Sequence, residues 1–482
     1  MWAWLVGVAS GAPGAGASLP LRPCATAERL REAPRARRGP FASVGGPRAE
    51  RDPYGVPNVR TSEHFAVRWG SFQPVSIADA DRLLEHFELA WRVQVDEMGH
   101  TAPYGTSAFF FNVYVGDTGD GTPSSYGAGG YQTYDADGWP MVVVARNSFV
   151  DPNFLEHTAV HEFYHAIQSE TARFPYDGIS AWYWEATAEW AAIEAVPGNP
   201  SNGVFAPGYL WLPEIGVPAF DYPDEGTLEE YHQYGAFLFP HDLSRVVGPE
   251  VVTETWKDPS GEPDPLEVMR AAVEAAGEDL DELWLDHLAH TVLLDHPMAD
   301  LLEVHLDTFR LAFPDESVVS RGLWGSGGDG KVGAEAPHRY GGYVLAVRSP
   351  DDGVLHVEVD GEATGTEGSE ATFAARVVVA RDAGPEYLDV PFDGASGRLD
   401  VVPDGDDVYV VVGATTAGND RWDTERFPFA YDLWVEPPPA TDDGPPPRRG
   451  RTLPRGCDTG GGAAGGAVLL AAAIARRRRA TG

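Results

Sequence analysis

Between Asn153 and Arg173 the apolar residues fall at Leu155, Val160, Tyr164 and Ile167, the spacing of one helical face. Asp151-Pro152 supplies an N-cap and a proline at the first helical position, and Phe174-Pro175 ends the run. A second helix follows, opened by Ser180 and closed by Pro197-Gly198. Upstream, His64 to Trp69 predicts a short strand and Ile77 to Met98 a helix. Ser107 to Val115 and Met141 to Ala145 predict further strands. Downstream, Gly203 to about Phe313 is mainly helical, including Leu228 to Val247 and Pro265 to Leu294. After a glycine-rich joint at Gly325 to Gly333 the period changes to two. Tyr343 to Val347, Val354 to Val359, Ala374 to Val379, Leu399 to Val402 and Val408 to Val412 alternate between turns such as Asp351-Asp352-Gly353 and Asp404-Gly405-Asp406. These elements predict an α+β domain over 61–325, a mixed sheet with a helical half, and an all-β sandwich over 336–436. The sandwich is expected to act as a spacer, with substrate or cell-wall binding as the other reading.

The first helix carries His161-Glu162-Phe163-Tyr164-His165, and twenty residues past the second His comes Glu185-Ala186-Thr187-Ala188-Glu189. Two His four residues apart project from one helical face and can grip one metal ion. Glu162 then lies beside the ion's open position, where it can take a proton from bound water. A zinc ion with three protein ligands needs a third, and Glu185 is the evident donor. His157 continues the same i, i+4 series, but three collinear side chains cannot converge tetrahedrally on one ion, so His157 is assigned a supporting or surface place. Asp117 and Asp120, and Asp135 and Asp137, sit in loops that offer calcium ligands; neither loop follows an EF-hand, and turn chemistry is the simpler account.

Together, H-E-F-Y-H and W-E-A-T-A-E resemble the gluzincin metallopeptidases, the thermolysin-like zincins. With the flanking Ala-Ile-Gln and Trp residues they are most similar to a group of secreted myxobacterial metalloproteases. That resemblance implies a zincin-like fold, His161, His165 and Glu185 as zinc ligands, Glu162 as general base, and Glu189 behind His161. It also implies an edge strand that aligns the peptide, for which Trp139 to Arg146 is the candidate. An oxyanion-stabilising His or Tyr is implied downstream, where Tyr231-His232-Gln233-Tyr234 leaves Tyr231, His232 and Tyr234 as alternatives. Gln168 and Thr171 stand where a third-His zincin needs Gly and His, so that branch does not fit. The expectation is a zinc-dependent peptidase acting on protein or peptide substrates as a monomer, with endopeptidase action the first reading and exopeptidase action left open. The rivals are a non-catalytic surface adhesin that keeps a metal site, and a metallohydrolase of non-peptide amides or esters.

A net charge of −38, with Lys only at 257 and 331, opposes nucleic acid and anionic lipid as partners. Residues 1–21 are apolar and small like a signal peptide but lack its basic start. Residues 22–60 are Arg- and Pro-rich, with Arg35, Arg37 and Arg38 clustered, and are expected to form a linker or pro-segment open to tryptic-type cleavage. Cys24 lies in this stretch, where its thiol could cap the metal, although no recognised switch motif surrounds it. Cys24 and Cys457 are both expected outside any core and form no disulfide framework. At 437–482 a Pro-rich stalk leads to Cys457, glycines, an apolar stretch from Ala463 to Ala475 and Arg476 to Arg479. That order resembles the myxobacterial C-terminal sorting tag and implies export, with attachment at the cell surface or outer membrane.

Overall fold

The computed structural model describes residues 22–32, 48–220, 228–313, 320–323, 327–332, 336–347, 353–361, 371–416 and 425–436. The leader-like residues, the arginine cluster, the stalk and the tail with Cys457 lie outside them. The protein is a mixed α/β chain of two compact units: Met1–Tyr209, Pro218–Leu280 and Leu301–His305 in one, Leu210–Val217, Asp281–Asp300 and Leu306–Gly482 in the other.

In the first unit a six-stranded mixed sheet has the order β1-β5-β6-β4-β3-β2. Its strands are β1 (Arg22–Cys24), β2 (Asn58–Thr61), β3 (Phe65–Trp69), β4 (Phe111–Gly116), β5 (Ala128–Tyr134) and β6 (Pro140–Ala145). β3, β4 and β6 run parallel, and every residue of the three is buried, which is why they read as apolar runs without alternation. The helices packed nearest the site's sheet are α1 (Thr26–Glu32), α2 (Ile77–Trp91), α3 (Pro152–Thr171) and α4 (Ala181–Ala195), and α2 continues into a wider helical turn over Arg92–Glu97. Phe163 of α3 meets Phe65, Phe87, Trp91 and Phe111 at ring separations of 5.2–6.4 Å, which fixes the helix against the sheet.

Two expectations change here. Trp139 to Arg146 is no sheet edge: β6 pairs antiparallel with β5 on one side and parallel with β4 on the other. The strand beyond it, β5, is Ala-Gly-Gly-Tyr-Gln-Thr-Tyr, whose glycines hide the strand pattern. The stretch 22–60, expected as linker or pro-segment, contributes β1 and β2 to this sheet. The downstream helical runs are also broken. Leu228 to Val247 divides around Gly235, where an added Cβ would come within 2.7 Å of Tyr209 Cβ and 2.9 Å of Phe205 O. Pro265 to Leu294 divides into Pro265–Ala275 and Leu280–Thr291 around Gly277, whose φ is +90°.

Among the described residues of the second unit, ten strands form two five-stranded sheets in a β-sandwich-like arrangement. Named in chain order, they are β7 (Ser320–Leu323), β8 (Gly327–Val332), β9 (Gly341–Val347), β10 (Val354–Asp360), β11 (Thr372–Val379), β12 (Glu386–Asp389), β13 (Phe392–Asp393), β14 (Ser396–Val401), β15 (Val408–Thr415) and β16 (Phe429–Glu436). The sheets have the orders β13-β14-β10-β16-β8 and β12-β11-β15-β9-β7. Leu355, Val357 and Val359 of β10 alternate inward, as period two requires. β9 and β15 are buried throughout because Leu288 and Trp284 press on the outer face of their sheet at Gly342 and Gly413. The glycine-rich joint contains a strand, β8.

Candidate metal centre

α3 begins as its sequence dictates: the Asp151 carboxylate accepts from Asn153 N and Phe154 N, and Pro152 occupies the first turn. His161, Glu162 and His165 are all buried on this helix. α4 brings Glu185 and Glu189 to them, also buried. Ser180 precedes α4 without capping it; its hydroxyl donates instead to Pro175 O, 2.7 Å away.

Three acceptor atoms converge. His161 Nε2 and His165 Nε2 are 3.1 Å apart, and Glu185 Oε2 lies 3.2 Å from the first and 3.3 Å from the second. Metal bonds of about 2.0–2.1 Å in a tetrahedral site require ligand separations of about 3.3–3.4 Å, so this triangle has the size of a metal-binding face. The other ring nitrogens face oxygen atoms, and for His165 the contact is a hydrogen bond. His165 Nδ1 lies 2.6 Å from Gln168 Oε1, and His161 Nδ1 lies 3.1 Å from Glu189 Oε1. In the tautomers with the proton on Nδ1, both Nε2 lone pairs point at the same space as the Glu185 carboxylate. A buried group of His161, His165, Glu185 and Cys24 can thus hold a metal ion.

Without an ion, the buried carboxylates and imidazoles pair with one another. Burial opposes charge on Glu185, yet His165 and His161 hold its carboxyl far below the usual range. Glu189 is likewise held down to about 2, against its burial, by His157 and His161. Burial disfavours the charged imidazole of His165, but Glu185 and Cys24 outweigh it and raise the group to about 10. Glu162 moves the other way: burial pushes its carboxyl up, with His161 and His165 opposing. Glu185 and Glu189 are the two buried carboxylates held charged here, and they need positive charge beside them, which the imidazoles or a divalent cation can supply.

Residues 46–308, more than half of the chain, match the model of DUF6055, described as a family of unknown function. The chain belongs to the DUF6055 family. No curated protein matches it. The DUF6055 region contains α3 and α4 entire, whereas β1 and α1 precede it.

Of the residues singled out in the sequence, His161, His165 and Glu185 come together, with Glu189 behind His161. His157 supports them: its Nε2 is 3.1 Å from Glu189 Oε1 and its Nδ1 is 3.2 Å from Asn202 Oδ1. Tyr234 turns toward the cluster, its ring 6.3 Å from that of His161 and its hydroxyl 3.4 Å from the Cys24 carbonyl. Tyr231 stacks on Phe205 at 5.5 Å, and the His232 ring lies 5.3 Å from Tyr209. The calcium candidates serve turns and ion pairs: Asp117 accepts from Ser125, Asp120 from Ser71, and Arg51 binds both Asp135 and Asp137. None of them belongs to a potential metal-holding group among the described residues.

Cys24 overturns the expectation of a residue outside any core. It is only 6% exposed, because β1 pairs with β5 and carries the thiol to the metal-binding face. Two further residues had no assigned role. The Tyr176 hydroxyl donates to Glu185 Oε1. Gln168 links His165 to α4 by donating to Trp184 O at 3.0 Å and Thr187 Oγ1 at 2.9 Å. Its position three residues after His165 places it on the same helical face, a signal the sequence does contain. Gln168→Ala is expected to lower metal affinity about 10–100-fold, measured by competition with a chelator. Unchanged affinity would mean that α3 alone orients His165.

Proposed function

We propose that this DUF6055 protein is a zinc-dependent peptidase, exported and acting on protein or peptide substrates, with the zincin-like site formed by α3 and α4. The observation that carries this reading is the triangle of His161 Nε2, His165 Nε2 and Glu185 Oε2, with the Glu162 carboxylate beside it. Zinc bound there supplies Lewis acidity and lowers the pKa of water. Glu162, with a carboxyl raised by burial, takes the proton of the attacking water and returns it to the leaving amine. Glu189 and Gln168 hold the imidazoles in register, so little reorganisation accompanies the reaction.

Tyr234 is the best-placed oxyanion donor of the three candidates. Its hydroxyl already donates to a peptide carbonyl, that of Cys24, at 3.4 Å. β5 would align the substrate, since main-chain pairing along a strand is how extended peptides are held. Metal analysis and a peptide-library digest test the proposal together. One zinc per chain with defined cuts is expected. Zinc without any cut, in the parent chain and in Cys24→Ser, would favour a non-catalytic metal protein; hydrolysis confined to non-peptide amides or esters would favour the other hydrolase reading.

A further inference from the structure

We propose that Cys24 is the fourth ligand of the metal held by His161, His165 and Glu185, and that the segment Arg22–Glu32 thereby keeps the site closed. This rests on the metal-site reading above and concerns how that site is regulated. Cys24 Sγ lies 3.6 Å from His165 Nε2. Zn–S and Zn–N bonds of about 2.3 and 2.1 Å in a tetrahedral site place those two atoms about 3.6 Å apart. The four ligand atoms all lie within 4.8 Å of one another, and all four residues are buried.

The thiol is one of several contacts between this segment and the site. β1 runs parallel to β5 with Arg22 opposite Ala128 and Cys24 opposite Gly130, and Ala25 N donates to Gly130 O at 3.2 Å. Thr26 reaches the base itself: its hydroxyl donates to Glu162 Oε2 at 3.1 Å and accepts from Gln132 N at 2.8 Å. Thr26 N also donates to Cys24 Sγ at 3.3 Å, a contact that favours a thiolate. Gly130 makes the close approach possible, since a Cβ there would stand 2.9 Å from Glu162 Cγ and from Thr158 Cγ2. At the far end Leu30 lines a cavity of about 210 Å³ with Tyr134, Phe174 and Trp184.

The consequences are threefold. The fourth position is filled, the Glu162 carboxylate is engaged, and the free side of β5 is covered. Ligation breaks the S–H bond and forms an S–metal bond; the proton passes to the Glu162 carboxylate, whose Oε2 is 3.6 Å from Sγ, and on to solvent. No electron changes hands. An active site therefore requires Cys24 and β1 to leave. The matched DUF6055 region begins at residue 46, and this segment precedes it.

The test uses the full chain loaded with cobalt(II), which occupies zinc sites and reports thiolate ligation by a near-ultraviolet charge-transfer absorption. The parent and Cys457→Ser chains should show that absorption. Cys24→Ser and Cys24→Ala should lose it while still binding one cobalt, and peptide turnover of their zinc forms should rise. If the open form is below a tenth of the parent population, the rise is about tenfold or more. Stoichiometric cobalt in the parent without the thiolate absorption would overturn the proposal and leave the three-ligand site standing. No cobalt bound in any chain would overturn the site reading itself. Thiolate absorption lost in Cys24→Ser, with no peptide cut by any chain, would uphold the fourth ligand while refuting the peptidase.

Discussion

Glu162→Gln should cut peptide turnover by about 10²–10⁴-fold without releasing the metal, the range for loss of a positioned general acid–base. The substitution keeps the shape of the side chain, which the close approach of Gly130 demands. It removes a carboxylate that lies beside the metal-binding triangle without belonging to it, and leaves Glu189 behind His161 in place. His161, His165 and Glu185 keep their partners, so zinc content and thermal midpoint should stay near those of the parent. The measurement is turnover of a cleaved peptide against zinc content, in the parent and in the Cys24→Ser background, where latency does not mask the effect. Turnover that survives Glu162→Gln in both backgrounds would remove Glu162 from the chemistry. If zinc were lost instead, Glu162 would be a ligand and the assignment of Glu185 would need revision.

The sequence announces the metal centre because its geometry is local. Two His at i, i+4 and two Glu at i, i+4 each share a helical face whatever the rest of the chain does, and the caps at Asp151 and Pro152 are equally local. The sandwich strand β10 is legible for the same reason, since its burial alternates residue by residue. Where burial is two-sided, as in β9 and β15, alternation vanishes, although apolar content still marks a strand. The β5 strand leaves neither trace. Its neighbours β1 and β6 are fixed by backbone pairing, and Gly130 is required because α3 packs close. Cys24 is harder still. It stands 138 residues from Glu162 and 141 from His165 along the chain, and no spacing rule reaches across that distance. Only pairing of β1 with β5 brings it in. Choosing among Tyr231, His232 and Tyr234 also depends on a tertiary fact, the turn at Gly235 packing against Phe205 and Tyr209.

Glu185→Ala should abolish the thermal stabilisation that zinc gives the parent chain. A ligand that binds only the folded state stabilises it by about 4 kcal/mol at a thousand times its dissociation constant, so the parent midpoint should climb with zinc concentration. Without Glu185 the triangle loses a corner, and His161 and His165 alone hold a divalent ion weakly. The metal-free variant should also be less stable than the metal-free parent. Glu185 is 1% exposed and answers both Nε2 atoms and the Tyr176 hydroxyl. Removing one member of such a buried charged group costs about 3–5 kcal/mol, because the remaining members keep their burial and lose their partner. Calorimetry of both chains, with zinc and with chelator, separates the two effects. A zinc-dependent shift of equal size in Glu185→Ala would show that the ion is held elsewhere, and the helix α4 would then lose its place in the site.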